Sequence, residues 1–305
     1  MAGGGAVRRI INYQLSIGKE GQILVIMMLI MVVGMTIGLF LLGKTTTDVS
    51  LTSKISDSNR AFNAAEAGIE EALRSIGSVT GDPVPIASGI SYTVNKSDLG
   101  GTNTIYPASI GDPVSLGDIF TIWLSPHNET TGDIDWALGE GSSYQGNIFN
   151  ICFGNNTANY SSPNIPAISV TVYYQDASGK FQNAATGFDP DDDRRGNGFL
   201  DTEGGLAACA DYEYRGQVNL VTTFGANLTG NGVWLIALRI KPLFTAVEMA
   251  VDPVGQSLPK QGNNVASVGT GTETTRKITV DNPYKIPAPF LDYVIYSKGT
   301  GGLTK

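Results

Sequence analysis

The sequence predicts an α+β protein in which a long N-terminal transmembrane and amphipathic helix is followed by a β-rich antiparallel sheet or sandwich. Three observations predict this class. Residues 22–43 contain no charged side chain, residues 44–76 contain no proline, and beyond residue 76 apolar side chains alternate with polar ones. We therefore expect the transmembrane half of the helix over 22–43, its amphipathic half over 44–77 and a β-rich ectodomain over 78–305.

Composition limits the classes of function. Only 16% of the residues are charged, and 28 acidic against 20 basic side chains give a net charge of −8. A protein whose main partner is a nucleic acid needs a basic surface, so no nucleic-acid partner is expected. Two cysteines and a single histidine exclude a four-cysteine zinc site and any site that needs two imidazoles.

The apolar stretch over residues 23–42 is long enough to cross a bilayer. As a helix it rises about 30 Å, which is the thickness of the hydrocarbon layer. A cleaved secretory signal has a shorter apolar region of about 7–15 residues and ends at a small-residue cleavage site. Arg8, Arg9 and Lys19 precede the span. The positive-inside rule therefore predicts a single-pass protein with a cytoplasmic N-terminus and an ectodomain outside.

The helix is expected to continue past the membrane as an amphipathic arm. Its apolar residues recur every seven positions, with further ones three or four residues away, and they form one stripe: Leu51, Ile55, Phe62, Ala65, Ile69, Leu73 and Ile76. Such a stripe is typical of a helix with one covered face. We expect Phe62, Ile69 and Leu73 to couple the arm to the β-rich domain, and Gly77 to end the helix.

One segment of this arm resembles a known family. Residues 59–72 read Asn-Arg-Ala-Phe-Asn-Ala-Ala-Glu-Ala-Gly-Ile-Glu-Glu-Ala. Before them come a short basic leader, a glycine directly before a polar residue (Gly21 and Gln22) and the uncharged span. Together these features are similar to the N-terminal region of type IV pilin-like proteins, in particular PilX-like minor pilins and, next, K-type pseudopilins. The resemblance covers residues 18–77, about a fifth of the chain.

The resemblance implies a processing site and a set of partners. Prepilin peptidase would remove a leader over residues 1–21 by cutting after Gly21, and Gln22 would become the first residue of the mature chain. Glu20 stands where a basic residue is usual, and Gly18 is the alternative cleavage site. The subunit would wait in the inner membrane until other pilins and the pilus assembly machinery, with its ATPase, draw it into a fibre at the cell surface.

The fifth residue of that mature chain indicates the subtype. Major pilins carry a glutamate there, thought to pair with the terminal amine of the neighbouring subunit, whereas this chain has Ile26. A carboxylate in the bilayer is expensive and is kept only for such a partner. K-type pseudopilins lack the glutamate too, so the resemblance implies a minor subunit of the kind found in the complex that starts a fibre.

The domain after the helix is predicted from β-branched and aromatic runs bounded by Gly, Pro, Asn and Asp. The expected strands are residues 90–94, 119–124, 168–175, 217–224, 233–241, 244–251, 277–281 and 291–297. Residues 77–89 are expected to form a linker, and residues 269–272 a hairpin loop. A single ectodomain is the default interpretation, with a two-lobed version as the alternative.

The cysteines and the histidine indicate no catalytic chemistry. Cys152 and Cys209 are expected to form a disulfide, because an ectodomain outside the cytoplasm permits oxidation; two buried free thiols are the alternative. His127 lies in a polar, turn-like stretch and is expected to be a solvated loop residue. No nucleophile, phosphate-binding or hydrolase motif occurs, so the protein is expected not to be an enzyme.

The acidic loop over residues 189–203 is the one candidate metal site. Oxygens with part of the spacing of an EF-hand-like loop come from Asp189, Asp191, Asp193, Asn197 and Asp201. Neither register of that motif is complete, because Arg194 and Arg195 occupy positions that need a glycine or an oxygen. The two open interpretations are a Ca²⁺-stabilised loop and a solvated acidic turn balanced by its own arginines. No other cofactor is expected.

Two hypotheses for function follow from these observations. The first is a non-catalytic minor pilin or pseudopilin that is processed by prepilin peptidase, held in the inner membrane and incorporated into, or initiating, a fibre. The alternative is a signal-anchored extracytoplasmic binding protein or adhesin that forms no fibre. The identity of the mature N-terminus, Gln22 or Met1, separates the two.

Overall fold

The computed structural model describes residues 19–74, 81–108, 112–155, 160–194, 196, 198–209, 211–225 and 227–288. Its first element is one helix, α1, at Lys19–Arg74, which is 56 residues long and contains no proline. At about 1.5 Å per residue this helix extends for about 84 Å. The prediction of one helix that runs unbroken from the apolar span into the amphipathic arm is confirmed.

Antiparallel β-strands follow the helix, so the predicted α+β class is confirmed. The strands are β1 (Val84–Ala87), β2 (Ile90–Gly100), β3 (Tyr106–Pro107), β4 (Phe120–Trp123), β5 (Ile148–Asn155), β6 (Ala167–Gln175), β7 (Phe181–Phe188), β8 (Glu203–Cys209), β9 (Tyr212–Asn219), β10 (Trp234–Leu243), β11 (Met249–Asp252), β12 (Lys260–Thr270) and β13 (Thr275–Pro283). They form two four-stranded sheets, β1-β2-β12-β13 and β4-β10-β6-β7, and a five-stranded sheet, β3-β11-β5-β9-β8.

The order of the strands divides the soluble part into two lobes. α1 packs on the sheet made of β1, β2, β12 and β13, and we call this unit the helix-sheet lobe. The strands from β3 to β11 form the other two sheets, which face each other as the sandwich lobe. The sandwich is therefore an insertion between β2 and β12, and the chain returns from it to complete the first sheet. The two-lobed interpretation describes this arrangement.

The sandwich core is built from alternating side chains of both sheets. Ile122, Leu238 and Val172 stand opposite one another on β4, β10 and β6, and all three are fully buried. The facing sheet contributes Phe149 and Phe153 of β5 to the same cluster. Burying one large apolar side chain contributes about 1.5–3 kcal/mol, so this cluster is the main source of stability for the inserted lobe.

A disulfide joins Cys152 and Cys209, whose Cα atoms are 5.6 Å apart. The bond ties β5 to the end of β8. Closing a loop of 57 residues removes conformations from the unfolded chain, which contributes about 4 kcal/mol by the chain-entropy estimate. The expected disulfide is formed, and the alternative of two free thiols is wrong.

Most predicted strands are found with shifted ends, and parts of two predictions are wrong. The strands expected at 90–94, 119–124, 168–175, 233–241 and 277–281 correspond to β2, β4, β6, β10 and β13. The strand expected at 217–224 ends at Asn219, after which the chain turns. The strand expected at 244–251 begins only at Met249, since Phe244 has a positive φ of 67° that interrupts extended backbone. The strand expected at 291–297 lies outside the described residues.

Six further strands, β1, β3, β5, β7, β8 and β12, are not expected from the sequence. β1 lies within residues 77–89, so the expectation of a linker over that whole range is wrong. β12 contains Gly262, Asn263, Asn264 and Gly269, residue types that are depleted in strands. Pairing with β2 on one side and β13 on the other outweighs this local preference. A hairpin loop does join β12 and β13, but it covers residues 271–274, because residues 269 and 270 of the expected loop belong to β12.

The two lobes are joined where β12 begins. The buried side chain of Gln261 pairs with the edge strand β4: the Trp123 N–H donates to its Oε1 at 2.7 Å, and its Nε2 donates to the Trp123 carbonyl at 2.8 Å. Lys260 Nζ lies 2.6 Å from a carboxylate oxygen of Asp98 on the helix-sheet lobe and 2.6 Å from one of Glu129 on the sandwich. Polar contacts from both lobes therefore hold the junction, and the amide covers a strand edge.

His127 lies at this junction and is buried, so the prediction of a solvated loop residue is wrong. Its imidazole stacks on Tyr284 with ring centroids 4.3 Å apart and packs edge-on against Trp123 at 4.5 Å. Its Nδ1 donates to the carbonyl of Ser125 at 3.2 Å. Burial lowers the pKa of His127, although the hydrogen bond to Ser125 and the nearby Asp133 oppose that change. The junction therefore favours the neutral imidazole.

Acid is expected to weaken this junction. The pKa of His127 is lower in the folded than in the unfolded chain. The contribution of the neutral imidazole to the free energy of unfolding is therefore complete above about pH 6.5, and it is lost as the pH falls through the lowered pKa of the folded protein. Replacing His127 with Gln removes this dependence. The melting temperature should therefore fall more for the unchanged protein than for His127→Gln between about pH 7.5 and about pH 5. An equal fall in both proteins would contradict the expectation.

Candidate functional site

The half of α1 that is expected to be transmembrane, residues 22–43, has exposed apolar side chains on all sides. An 18-residue window of the helix has a mean hydropathy of 2.8, and none of that window is buried inside the protein. By length and composition this half can cross a membrane, which is compatible with a membrane anchor. Gly21 and Gln22, the predicted processing site, lie within α1, and Ile26 is an exposed residue of the same half.

The amphipathic half of α1 packs on its sheet through very small side chains. The buried face contains alanine, glycine and one larger residue: Ala61, Ala64, Ala65, Gly68, Ile69 and Ala72. These positions recur at spacings of three and four, so they share one side of the helix. We call this set the docked face. Tyr92 and Val94 of β2 and Val265 of β12 complete a small apolar cluster with it.

Two glycines allow the helix backbone to approach the sheet closely. A Cβ atom at Gly269 of β12 would collide with the carbonyl oxygen of Ala61 and would lie 2.5 Å from the backbone nitrogen of Ala65. A Cβ atom at Gly68 of the helix would lie 2.8 Å from the ring of Tyr92. Backbone atoms cannot move aside as the end of a side chain can, so the closest approach depends on Gly269.

Polar contacts fasten the docked half of α1 to the β12–β13 hairpin. The Asp57 carboxylate accepts hydrogen bonds from the backbone N–H groups of Thr272 and Glu273, both at 2.8 Å. These bonds, the one from Glu273 most of all, lower the pKa of Asp57. Arg276 donates from Nε and Nη2 to the Ser58 hydroxyl at 2.8 and 2.7 Å. The hairpin tip therefore marks the point along α1 at which the lobe begins.

A second set of apolar side chains on the amphipathic half remains exposed. Leu51, Ile55, Phe62 and Leu73 are between 45% and 57% exposed, and we call them the exposed stripe. The prediction that Phe62 and Leu73 couple the helix to the β-rich domain is therefore wrong. Both side chains lie beside the docked face and stay about half exposed, because the closest approach of helix and sheet occurs at small residues of that face.

The exposed stripe and the docked face lie side by side on the helix. At about 100° per residue, the members of the stripe fall within about 40° of one another, and the centre of the docked face lies about 100° away. Ile69 stands between the two and is buried, as predicted, whereas Ile76 lies outside the described residues. The stripe begins at Leu51, about two turns beyond the uncharged span, and ends at Leu73, next to the last residue of α1.

The acidic loop holds its own arginine. Asp189 and Asp191 are buried, and Arg194 lies between them, with Nη2 at 2.9 Å from Asp189 Oδ1 and Nε at 3.3 Å from Asp191 Oδ2. Arg194 also donates to the carbonyl groups of Pro163 and Ile165 at 2.8 and 2.7 Å. A guanidinium bound in this way supplies the positive charge that a calcium ion would bring to the two carboxylates.

The other predicted calcium ligands do not join this pair. Asp193 and Asp201 are exposed, and Asn197 lies outside the described residues. Within the part of the chain that the structure describes, no group of three or more His, Cys, Asp and Glu residues is placed to hold a metal ion. The geometry favours the second interpretation of the loop, an acidic turn balanced by its own arginine, and the calcium interpretation stays an unsupported prediction.

Sequence periodicity misses most of the docked face. It weights large apolar side chains, and alanine or glycine adds little to such a pattern. The signal that could identify the face is the alanine-rich run that ends at Gly68, since small residues at three- and four-residue spacing allow close backbone approach. Asp57 and Arg276 carry no local signal, because their partners are 215 and 218 residues away along the chain.

Comparison with known proteins adds no family to these observations. No protein-family model matches the chain, and neither a curated protein nor a solved structure matches it. The functional proposal therefore rests on the helix, its two faces and the sequence features at its start.

Proposed function

We propose that this protein is a non-catalytic minor pilin or pseudopilin that is held in the inner membrane by the first half of α1. From there it enters, or initiates, a type IV pilus-like fibre. The observation that carries the proposal is the exposed stripe, which lies along the soluble half of the same helix that carries the apolar span. A row of large apolar side chains in water favours a partner that covers them. Sibling helices in a fibre supply such a partner.

The two faces of α1 fit an assembly that draws subunits out of lipid. The docked face binds the subunit's own lobe through small side chains, and the exposed stripe stays available for other subunits. Burial of the stripe and of the apolar span against sibling helices then offsets the loss of contact with the bilayer. The partners that this function requires are other pilins, the assembly machinery with its ATPase, and prepilin peptidase.

Orientation and subtype in this proposal come from residues near the start of the chain. Arg8, Arg9 and Lys19 favour a cytoplasmic N-terminus, with the two lobes outside the inner membrane. The disulfide between β5 and β8 is consistent with that oxidising side. Ile26, in the place of a membrane-buried carboxylate, favours a minor subunit over a major one.

Replacing Gly21 with Glu is expected to block removal of the leader. The proposed mature chain begins at Gln22, so the variant should keep residues 1–21 and have a correspondingly higher mass. Intact-mass measurement and N-terminal sequencing of the membrane-extracted protein, from cells that contain prepilin peptidase, test this directly. Gly18→Glu is the matched control, and it should leave cleavage after Gly21 unchanged.

Two results would count against this proposal. If Gly21→Glu gave mature protein of normal length, cleavage after Gly21 would be excluded. The unchanged protein could also keep an intact Met1 and be absent from sheared fibres. That result would favour the alternative, a signal-anchored extracytoplasmic binding protein or adhesin that forms no fibre.

A further inference from the structure

The sheet β4-β10-β6-β7 carries an apolar groove on its outer face. In the register of this sheet, Trp123, Ala237 and Tyr173 stand opposite one another. They alternate with Ile122, Leu238 and Val172, whose side chains fill the sandwich core, so their own side chains lie on the other face. A groove of about 380 Å³ lies over this face and includes Trp123 and Tyr173 in its lining.

Two aromatic rings at this groove are strongly exposed. Trp136 is 44% exposed and Phe181 is 68% exposed. Trp136 packs against Phe181 and Trp234 with ring centroids 6.0 and 5.0 Å apart, so the rings form one cluster. Such a cluster, added to the apolar groove beside it, indicates a surface that another group covers.

The chain itself runs along this face after β13. Tyr284 packs with Trp123 on the outer side of the sheet. The Pro287 carbonyl accepts a hydrogen bond from Arg239 Nη2 at 3.2 Å, and Pro287 lines the groove. The described residues end one position later, at Ala288. The described part of the chain therefore ends at the edge of the groove.

The sequence that follows is strongly apolar. Residues 290–296 read Phe-Leu-Asp-Tyr-Val-Ile-Tyr, in which every residue except Asp292 is aliphatic or aromatic. Removing such an apolar run from water lowers the free energy, and covering the apolar groove does the same. Its one charge is opposite in sign to Arg239 and Lys241, which alternate along β10 on the outer face of the sheet.

We propose that the groove is the docking site of the chain's own C-terminal segment, residues 289–305, with the apolar run 290–296 as its occupant. Pro287 is held at β10, and Phe181 stands on β7, two strands away. Phe181 also lies four residues along β7 from Ala185, which shares the register of Arg239 through Thr171. Two strand spacings of about 5 Å and four residues of about 3.4 Å give a diagonal of about 17 Å, whereas seven extended residues reach about 23 Å. The run is therefore long enough to cover both exposed rings. This inference concerns the sandwich lobe and does not depend on the proposed pilin function.

The experiment compares the full-length protein in lipid nanodiscs with a chain that ends at Ala288. Acrylamide quenching of tryptophan fluorescence measures exposure, and Trp136→Phe in each background identifies the part of the signal that comes from Trp136. We expect Trp136 to be protected in the full-length protein. In the shortened chain that protection should be lost and the emission should shift to the red. A synthetic peptide with the sequence of residues 289–305 should restore protection when added to the shortened chain.

A second pair of variants keeps the full chain length. Phe290→Ser combined with Ile295→Ser should expose Trp136 as the truncation does, because both changes weaken the apolar run. Thr300→Ser combined with Thr304→Ser is the matched control and should leave quenching unchanged. Mass spectrometry of the disulfide under non-reducing conditions checks that the sandwich lobe folds in each protein.

Either of two outcomes would overturn the proposal. One is equal quenching of Trp136 in the full-length protein and the shortened chain, with the disulfide formed in both. The other is protection of Trp136 that requires an added oligosaccharide or a second protein and does not require residues 289–305. That second outcome would assign the groove to an external ligand.

Discussion

Replacing Gly269 with Ala is expected to force α1 away from its sheet and to lower the free energy of unfolding by about 3 kcal/mol. The added Cβ atom meets the carbonyl oxygen of Ala61 and the nitrogen of Ala65, which are backbone atoms of a regular helix. Neither can rotate aside, so the helix must shift as a body. The shift would open the cluster formed by the docked face, Tyr92, Val94 and Val265.

The matched control for this prediction is Gly141→Ala. Gly141 lies in the sandwich lobe, and a Cβ atom there would have no other atom within 4 Å. Thermal unfolding of the full-length proteins in the same detergent gives the comparison, and limited proteolysis reports separation of the helix from its sheet. The expectation fails if both variants unfold at the same temperature and resist protease equally.

Replacing Phe62 with Asp is expected to abolish incorporation into fibres and to leave the folded subunit almost as stable as before. Phe62 is 45% exposed and belongs to the exposed stripe, so the change should alter the free energy of unfolding by no more than about 0.5 kcal/mol. In an assembled fibre the same position would be buried against a sibling helix. An unpaired carboxylate at such a contact costs several kcal/mol.

Two controls separate assembly from folding. Asn63→Asp adds the same charge at an exposed position off the stripe, and it should permit assembly. Ala65→Asp places the charge on the docked face, where the side chain is fully buried, and it should unfold the helix-sheet lobe. Sheared fibres are assayed for the subunit, and melting temperatures are measured in parallel. If Phe62→Asp were recovered normally in fibres, the exposed stripe would not be the assembly surface. If the melting temperature of Phe62→Asp fell strongly, Phe62 would contribute to the stability of the subunit.

The helix was predictable because its causes are local. The uncharged span, the absence of proline and the apolar repeat all act within a few turns, and α1 at Lys19–Arg74 follows them. The same repeat did not identify the docked face. Two apolar surfaces lie side by side on α1, and a pattern of hydrophobicity cannot say which of them meets the sheet. Gly269 determines which surface packs on the sheet, because its backbone lies so close to the helix that only small helix residues fit there.

The candidate site was only partly predictable for a similar reason. Ile69 is packed as expected, whereas Phe62 and Leu73 are exposed. Asp57 accepts hydrogen bonds from a hairpin about 215 residues further along the chain. His127 shows the same limit. Its neighbours in sequence are polar, but Tyr284 arrives from the other end of the soluble part and buries the imidazole. Contacts between distant segments leave no mark on the local pattern.

By itself, the sequence determined the class of the fold, the continuous helix with its membrane-spanning length, and the expectation of a disulfide between Cys152 and Cys209. Those features depend on side chains that are neighbours in the chain or on the number and type of residues. The tertiary structure alone decided that a sandwich is inserted between β2 and β12 and that α1 buries Ile69 but keeps Phe62 and Leu73 exposed. The physical reason is that strand pairing and close packing are settled between segments far apart in sequence, where the fit of backbones outweighs local preference.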